Sequence, residues 1–344
     1  MGFDFLKNNG AQRVRHYDPQ PFLLDDGVIL VDTADEKKEL GYEQEPDAWE
    51  AIDILTCIPP ADWPWRPLRF IDGKDVGRTV AWLQTRKGNP IPVRLAEIGA
   101  AVMTNQDGQL RREYEVMERV VSVVVNPFPW DEVEGFAIAL QEQGFRLLPC
   151  RPQELSYNFE VMRKATQNRT KDEMEILEKQ ALAVNSTPPT LVDGRLEPRA
   201  GAFDQRITPV AGLIKTHSRN YLHPGGLRLL YELCAGQRTP AFCIGNKMDL
   251  ITWYVRLNGQ QGEMPDWGIV RLEIARQFFE QTIQRNFTYL NYLSHIVYAY
   301  RCRDKSYSRA PISIYPIQRV EESLGSLFTS TETLVQRFYR FTYL

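Results

Sequence analysis

Hydrophobic and polar positions change period along this chain, and each change marks an element. From Leu68 the pattern is extended: apolar runs at Leu68–Asp72, Thr79–Gln84 and Pro92–Met103 are separated by glycine-bearing connections at Gly73–Gly77 and Lys87–Asn89, which predicts an antiparallel meander of three strands. Thr104–Met117 is charged and turns at Asn105-Gln106-Asp107-Gly108, and Val120–Val125 is a further β-type run. Trp130–Gln143 reads as a helix closed by Gly144, with Phe145–Leu148 returning to extended chain. Met174, Leu177, Ala181 and Val184 then recur at spacings of three and four, predicting a helix over Lys171–Val184 with one apolar stripe.

Downstream, short strands are expected at Leu191–Asp193, Pro209–Lys215, Ala241–Ile244, Thr252–Leu257 and Gly268–Ile274, with a helix at Pro224–Ala235. Arg276–Tyr300 reads as one long helix rich in aromatic residues, suited to core or to a subunit contact. Ile312–Tyr315 is a last extended piece, and Pro316 sits where a following helix would start. Upstream of all this, residues 1–66 form an irregular, proline-bearing lead-in arm with a β-like run at Val28–Val31 and a helix around Ala48–Thr56. Its end, Pro59-Pro60-Ala61-Asp62-Trp63-Pro64-Trp65, excludes regular helix and central strand. The expected division is an arm over 1–66, a main α/β domain over 67–330 and a helical tail over 331–344.

Composition narrows the class. At 344 residues and 43% hydrophobic content the chain has enough material for a sizeable core. Its net charge of -3 confines any nucleic-acid footprint to local basic groups. Five scattered cysteines without a Cys-x-x-Cys pair fit reduced thiols and exclude a zinc site. No leader and no membrane-spanning run is expected, which makes the cytoplasm the default location.

The candidate chemistry lies at strand ends. Phe70-Ile71-Asp72-Gly73 and Leu191-Val192-Asp193-Gly194 each deliver one carboxylate at the end of a β-type run and turn away on glycine. Asp-Gly is also an ordinary turn former, and Asp107-Gly108 is read that way. On the helix over Lys171–Val184, Glu173 projects beside the apolar stripe whereas Glu175 lies near the opposite face. Lys215 follows on the next strand. Carboxylates on two strands and a helix, with little histidine or cysteine, favour a hard cation such as Mg²⁺ or Mn²⁺ and the phosphodiester chemistry such ions support. Asp75 reads as a solvated loop charge, and His217 as a structural donor with a role at the site as the alternative.

These residues, in this order, resemble the NurA nucleases. The resemblance rests on Phe70-Ile71-Asp72-Gly73 after the arm, Leu191-Val192-Asp193-Gly194-Arg195-Leu196 behind a Glu-bearing helix, and Lys215-Thr216-His217 after an apolar strand. Val270-Arg271-Leu272-Glu273 and Tyr315-Pro316 complete it, over roughly residues 65–330. It implies an RNase H-like mixed sheet flanked by helices, and a Mn²⁺- or Mg²⁺-dependent deoxyribonuclease with 5′-to-3′ exonuclease and single-strand endonuclease action. The resemblance further implies a homodimer docked on a hexameric HerA-type ATPase, serving DNA end resection or defence against foreign DNA. By position, Asp72 and Asp193 match metal ligands, Glu173 the helix acid and Tyr315 a tyrosine near the site, while Glu175 and Glu178 stay open as alternatives for the helix acid.

There is one departure. Where the family commonly has a histidine after Tyr-Pro, this chain reads Gln318-Arg319-Val320-Glu321-Glu322-Ser323, so that either a carboxylate takes over or the site works without it. Lys215, Arg219, Arg271 and the Arg111-Arg112 pair are candidate phosphate contacts. Two other readings remain open: a catalytically silent subunit capping a translocase ring, and a carboxylate-pair hydrolase acting on sugars.

Overall fold

Buried strands need partners on both edges, and the longest runs of this chain supply one another's. In the computed structural model, which describes residues 2–14, 31–32, 37–85, 87–152, 154–217, 219–245, 247–259, 264–304 and 309–344, a short helix α1 (Asp4–Asn8) precedes the meander β1 (Arg69–Gln84), β2 (Pro90–Gln106) and β3 (Gln109–Val124). Pairing is antiparallel from Arg69↔Thr104 to Gln84↔Pro90 and continues from β2 to β3. Asp107 and Gly108, with φ of 54° and 81°, make the two-residue hairpin turn between β2 and β3.

The meander therefore differs from the expected one. Leu68–Asp72 and Thr79–Gln84 fuse into the single strand β1, because Gly73 and Gly77 continue the strand where a connection was expected. Each lacks a side chain where another group closes in: a Cβ on Gly73 would lie 2.8 Å from the Glu178 carboxyl, and one on Gly77 would collide with Ala96. The charged stretch Thr104–Met117 is the tip and outer strand of the hairpin.

Helix α2 (Trp130–Glu142) ends before Gly144, whose φ of 77° reverses the chain into β4 (Arg146–Cys150), parallel to β3. Helix α3 (Phe159–Val184) starts a dozen residues earlier than its apolar stripe suggested, capped by the Asn158 side chain accepting from Glu160 N–H. It crosses the sheet and delivers β5 (Thr190–Asp193) parallel to β1, followed by β6 (Val210–Ile214) parallel to β5. After α4 (Pro224–Glu232) come β7 (Phe242–Gly245), β8 (Asp249–Arg256) and β9 (Ile269–Ala275). The sheet order is Lys37–Glu39, β7, β8, β9, β6, β5, β1, β2, β3, β4. An antiparallel meander whose first strand is joined by two parallel strands after a crossover helix is an RNase H-like arrangement, and helices flank it.

Two expectations change. The long aromatic helix is broken into a π-type turn (Phe278–Thr282) and helix α5 (Thr288–Ala299), with Gln284 and Arg285 left-handed between them. Phe278, Phe279 and Tyr289 are all buried across this break. The helix expected around Ala48–Thr56 is a 3₁₀ turn (Pro46–Ala48) and a strand (Ile52–Asp53) paired with Gln237–Arg238. Of the run at 28–31, Val28–Leu30 lie outside the described residues, and Val31–Asp32 pairs with Arg219–Asn220. This upstream segment is tied to the sheet: Glu43 accepts from both Arg238 Nη atoms at 2.8 and 2.6 Å and from Ala241 N–H at 2.6 Å.

Helices α6 (Tyr315–Leu327) and α7 (Thr331–Thr342) close the chain. One core packs α6 and the C-terminal half of α3 on β1, β2, β5, β6, β8 and β9, while a second gathers α1, α2 and α7 over the far half of the meander. Among the described residues no helix is long and apolar enough to cross a membrane.

Candidate metal centre

Strands β1 and β5 run in register, Arg69 beside Thr190, Phe70 beside Leu191 and Ile71 beside Val192. Asp72 and Asp193 are the next residues of each, and Leu213 of β6 pairs with Asp193, with Lys215 two positions on. Since alternate residues share a face, Asp72, Asp193 and Lys215 project from the same side of the sheet, Asp72 early in β1, Asp193 at the end of β5 and Lys215 just past β6. Helix α6 lies on that side, and its Glu321 completes a triad: Asp72, Asp193 and Glu321 have carboxylate oxygens all within 4.8 Å of one another. Lys215 Nζ stands 2.7 Å from Asp193 Oδ2 and 3.7 Å from Glu321 Oε1, and Arg309 reaches Glu321 Oε1 at 3.0 Å from the rim.

Asp72 is the uncompensated member. It is buried, accepts only the Gly73 N–H at 2.9 Å, and is in no ion pair among the described residues. Burial first, then the negative charge of Asp193, push its carboxyl well above the usual range, against the pull of Lys215. The Lys215 ammonium is held above its ordinary value by Asp193 and Asp72, which outweigh its own burial. A buried carboxylate with no cation beside two others is costly unless a cation joins it. The donor set, three oxygen ligands from three elements, fits a hard divalent ion such as Mg²⁺ or Mn²⁺.

Helix α3 supports the site from behind the sheet. Glu178 lies on the opposite side of β1, against Gly73, and forms a buried pair with Arg199. Burial raises its carboxyl to about 7 even with Arg199 beside it. Arg199 Nη2 also donates to the Asp193 carbonyl at 3.2 Å and its Nη1 to the Arg195 carbonyl, fixing the chain as it leaves β5 through Gly194 (φ 108°).

The other expected residues are placed as follows. Glu173, expected as the helix acid, is buried but stands away from the triad, between Arg146 (2.6 Å) and Arg169 (2.8 Å), which hold its carboxyl below the usual range despite its burial. The reason is the length of α3: Glu173 and Glu178 are roughly 7 Å apart along the axis, so the former faces β4 and the latter β1. Glu175, the third alternative, is half-buried and adds to the negative field on Glu178. Tyr315 is at the N-terminal end of α6, about half exposed, its hydroxyl accepting from Arg319 Nε at 2.7 Å.

Arg271, expected at a phosphate, is nearly buried at 3% exposure, paired with Glu273 at 3.0 Å and Thr252 at 3.1 Å, and lines a small pocket with Arg195 and Arg219. Arg219 is half-buried beside Arg195 and Tyr221. Arg111 and Arg112 are exposed on β3. Asp75 is no loop charge: it sits in β1, bonded to Arg94 at 2.9 Å and Thr170 at 2.6 Å. His217 bonds the Ile269 carbonyl at 3.0 Å, and burial lowers its basicity. Glu321, Arg309 and Arg199 were not singled out individually. For Glu321 a signal existed, since the stripe Ile317, Val320, Leu324 of α6 puts it on the inward edge.

The fold and this carboxylate cluster define an RNase H-like α/β protein with a candidate divalent-metal centre. No family model matches the chain, and no curated protein matches it. Among solved structures it is similar to the NurA nuclease from Sulfolobus solfataricus, at 12% identity over 84% of this chain and 85% of that one, with a TM-score of 0.43.

Proposed function

We propose that this protein is a divalent-metal-dependent nuclease that hydrolyses DNA phosphodiesters. The observation that carries the reading is the meeting of Asp72 of β1, Asp193 of β5 and Glu321 of α6, with Asp72 buried and in no ion pair among the described residues. Asp72, Asp193 and Glu321 hold the ion, either Mn²⁺ or Mg²⁺, which when bound supplies an activated water and stabilises charge on the phosphate. Lys215 keeps its proton at the same mouth, a positive charge suited to a non-bridging phosphate oxygen. Glu178 and Arg199 act by position, setting the separation of β1 from β5. Glu321 occupies the stretch where the resembling family carries its histidine, so here a carboxylate takes that place.

The motif resemblance supports the finer reading: 5′-to-3′ exonuclease and single-strand endonuclease action, a homodimer, a HerA-type hexameric ATPase as partner, and work on DNA ends in the cytoplasm. Purified protein incubated with end-labelled linear DNA and Mn²⁺ tests the core of it. Degradation should require the metal and disappear in Asp72→Ala and Asp193→Ala; cleavage unchanged in both variants refutes the assignment. Light scattering with and without a HerA-type ATPase tests the assembly.

A further inference from the structure

Beside the triad, on the same side of the sheet, is a cavity of about 590 Å³ between the tip of the β2–β3 hairpin and α6. Met103 and Leu110 form an apolar floor, Tyr315 and Arg319 a wall, and Gln109 and Ser323 part of a polar rim. The wall consists of two planar groups held together: the Arg319 guanidinium is 5.0 Å from the Tyr315 ring centroid, its Nε donates to the tyrosine hydroxyl at 2.7 Å, and Glu322 pins its Nη1 at 2.6 Å. Tyr315 nevertheless stays 48% exposed, a ring presented to solvent over an apolar floor.

We propose that this cavity receives one nucleobase of a single-stranded DNA substrate, stacked on the Tyr315–Arg319 wall. The inference rests on the nuclease reading and deepens it. An aromatic ring and a guanidinium plane are the two surfaces on which unpaired bases stack. The apolar floor suits a base and not a phosphate, and Arg319, the one cation lining the cavity among the described residues, is already committed to Glu322. Position agrees. Met103 pairs with Phe70 across β1 and β2, and Phe70 precedes Asp72 by two residues on the same side, so the floor begins roughly 7 Å along the strand and 5 Å across from the triad. Taking the duplex rise of about 3.4 Å per nucleotide as the least a strand advances, the stacked base belongs within about three nucleotides of the phosphate at the metal. Tyr315 is on this reading a substrate-positioning group whose ring, not its hydroxyl, is used.

The test uses the whole protein in EDTA, where no DNA is cut, and short single strands carrying 2-aminopurine at successive positions. The expected result is quenching at one position, and binding about tenfold weaker in Tyr315→Leu but close to parent in Tyr315→Phe. A strand abasic at that position should bind parent and Tyr315→Leu alike. Arg319→Ala, altering only an exposed side chain, should give the same base-dependent loss at smaller size. Equal losses on intact and abasic strands, or a Tyr315→Phe loss as large as that of Tyr315→Leu, overturn the proposal. A protein that stacks the base without ever cutting DNA refutes the nuclease reading alone; one that cuts DNA with no ring-dependent binding refutes this inference alone.

Discussion

Helix α3 carries two buried glutamates five residues apart, and they serve two differently built charge clusters. Around Glu173 the charges balance: Arg146 and Arg169 face Glu173 and Glu118, and the pairing holds the Glu173 carboxyl below its usual range. Around Asp72 they do not balance, and burial together with neighbouring acids drives that carboxyl upward. Burial opposes ionisation in both places, so the partners decide the sign. A cluster of the first kind stabilises the fold, whereas one of the second kind stores unfavourable charge that only an added cation relieves.

The sharpest way to break this contrast is to remove the excess acid. Asp72→Asn should lower metal-dependent DNA cleavage by at least about a thousandfold, or about 4 kcal/mol in the barrier, while the metal-free protein melts no lower than the parent. Loss of activity accompanied by a lower melting temperature would instead make Asp72 a structural acid. Next in size, Lys215→Met should destabilise the metal-free protein by about 3–5 kcal/mol by leaving the acids beside it unpaired, as read by urea denaturation, and Mn²⁺ should restore part of the loss.

A pH series sharpens the comparison further. Because the Asp72 carboxyl is raised, it keeps its proton to higher pH than a free aspartate, and binding a cation must expel that proton. Apparent Mn²⁺ affinity should therefore climb with pH by up to about tenfold per unit for each proton displaced until Asp72 ionises unaided. Calorimetry in buffers of different ionisation enthalpy should count the released proton. The smallest effect belongs to the balanced cluster: Glu173→Gln should cost about 1 kcal/mol, discounted because Arg146 is half exposed, and leave cleavage within about twofold of parent.

Much of the sheet was legible because strands β5 to β9 are short apolar runs of strand length, and helix α2 repeats at helical spacing and closes before Gly144. The reading failed where a glycine had a packing role in place of a turning one: Gly73 and Gly77 look like breaks in the sequence and leave no room for a Cβ against Glu178 of α3 and Ala96 of β2. It failed again after β9, where aromatic spacing cannot reveal that Gln284 and Arg285 turn left-handed. In the candidate site, Asp72, Asp193 and Lys215 were visible because each follows a β-type run. Glu173 and Glu178 were harder to tell apart, since both flank the same stripe and the choice depends on how far α3 extends toward its N-terminus. Glu321 belongs to a helix whose docking face is set by contacts far away in sequence.

The seam between β1 and β5 also bears on how the acidic centre is assembled. It joins Arg69 to Thr190, 121 positions apart, and the third acid arrives only with α6 near the end of the chain. Pairings of such long range form late, after the hairpins and the helix between them have gathered. A growing or misfolded chain thus holds Asp72, Asp193 and Glu321 far apart, and the order of assembly itself keeps the three acids from meeting until β5 and α6 have docked.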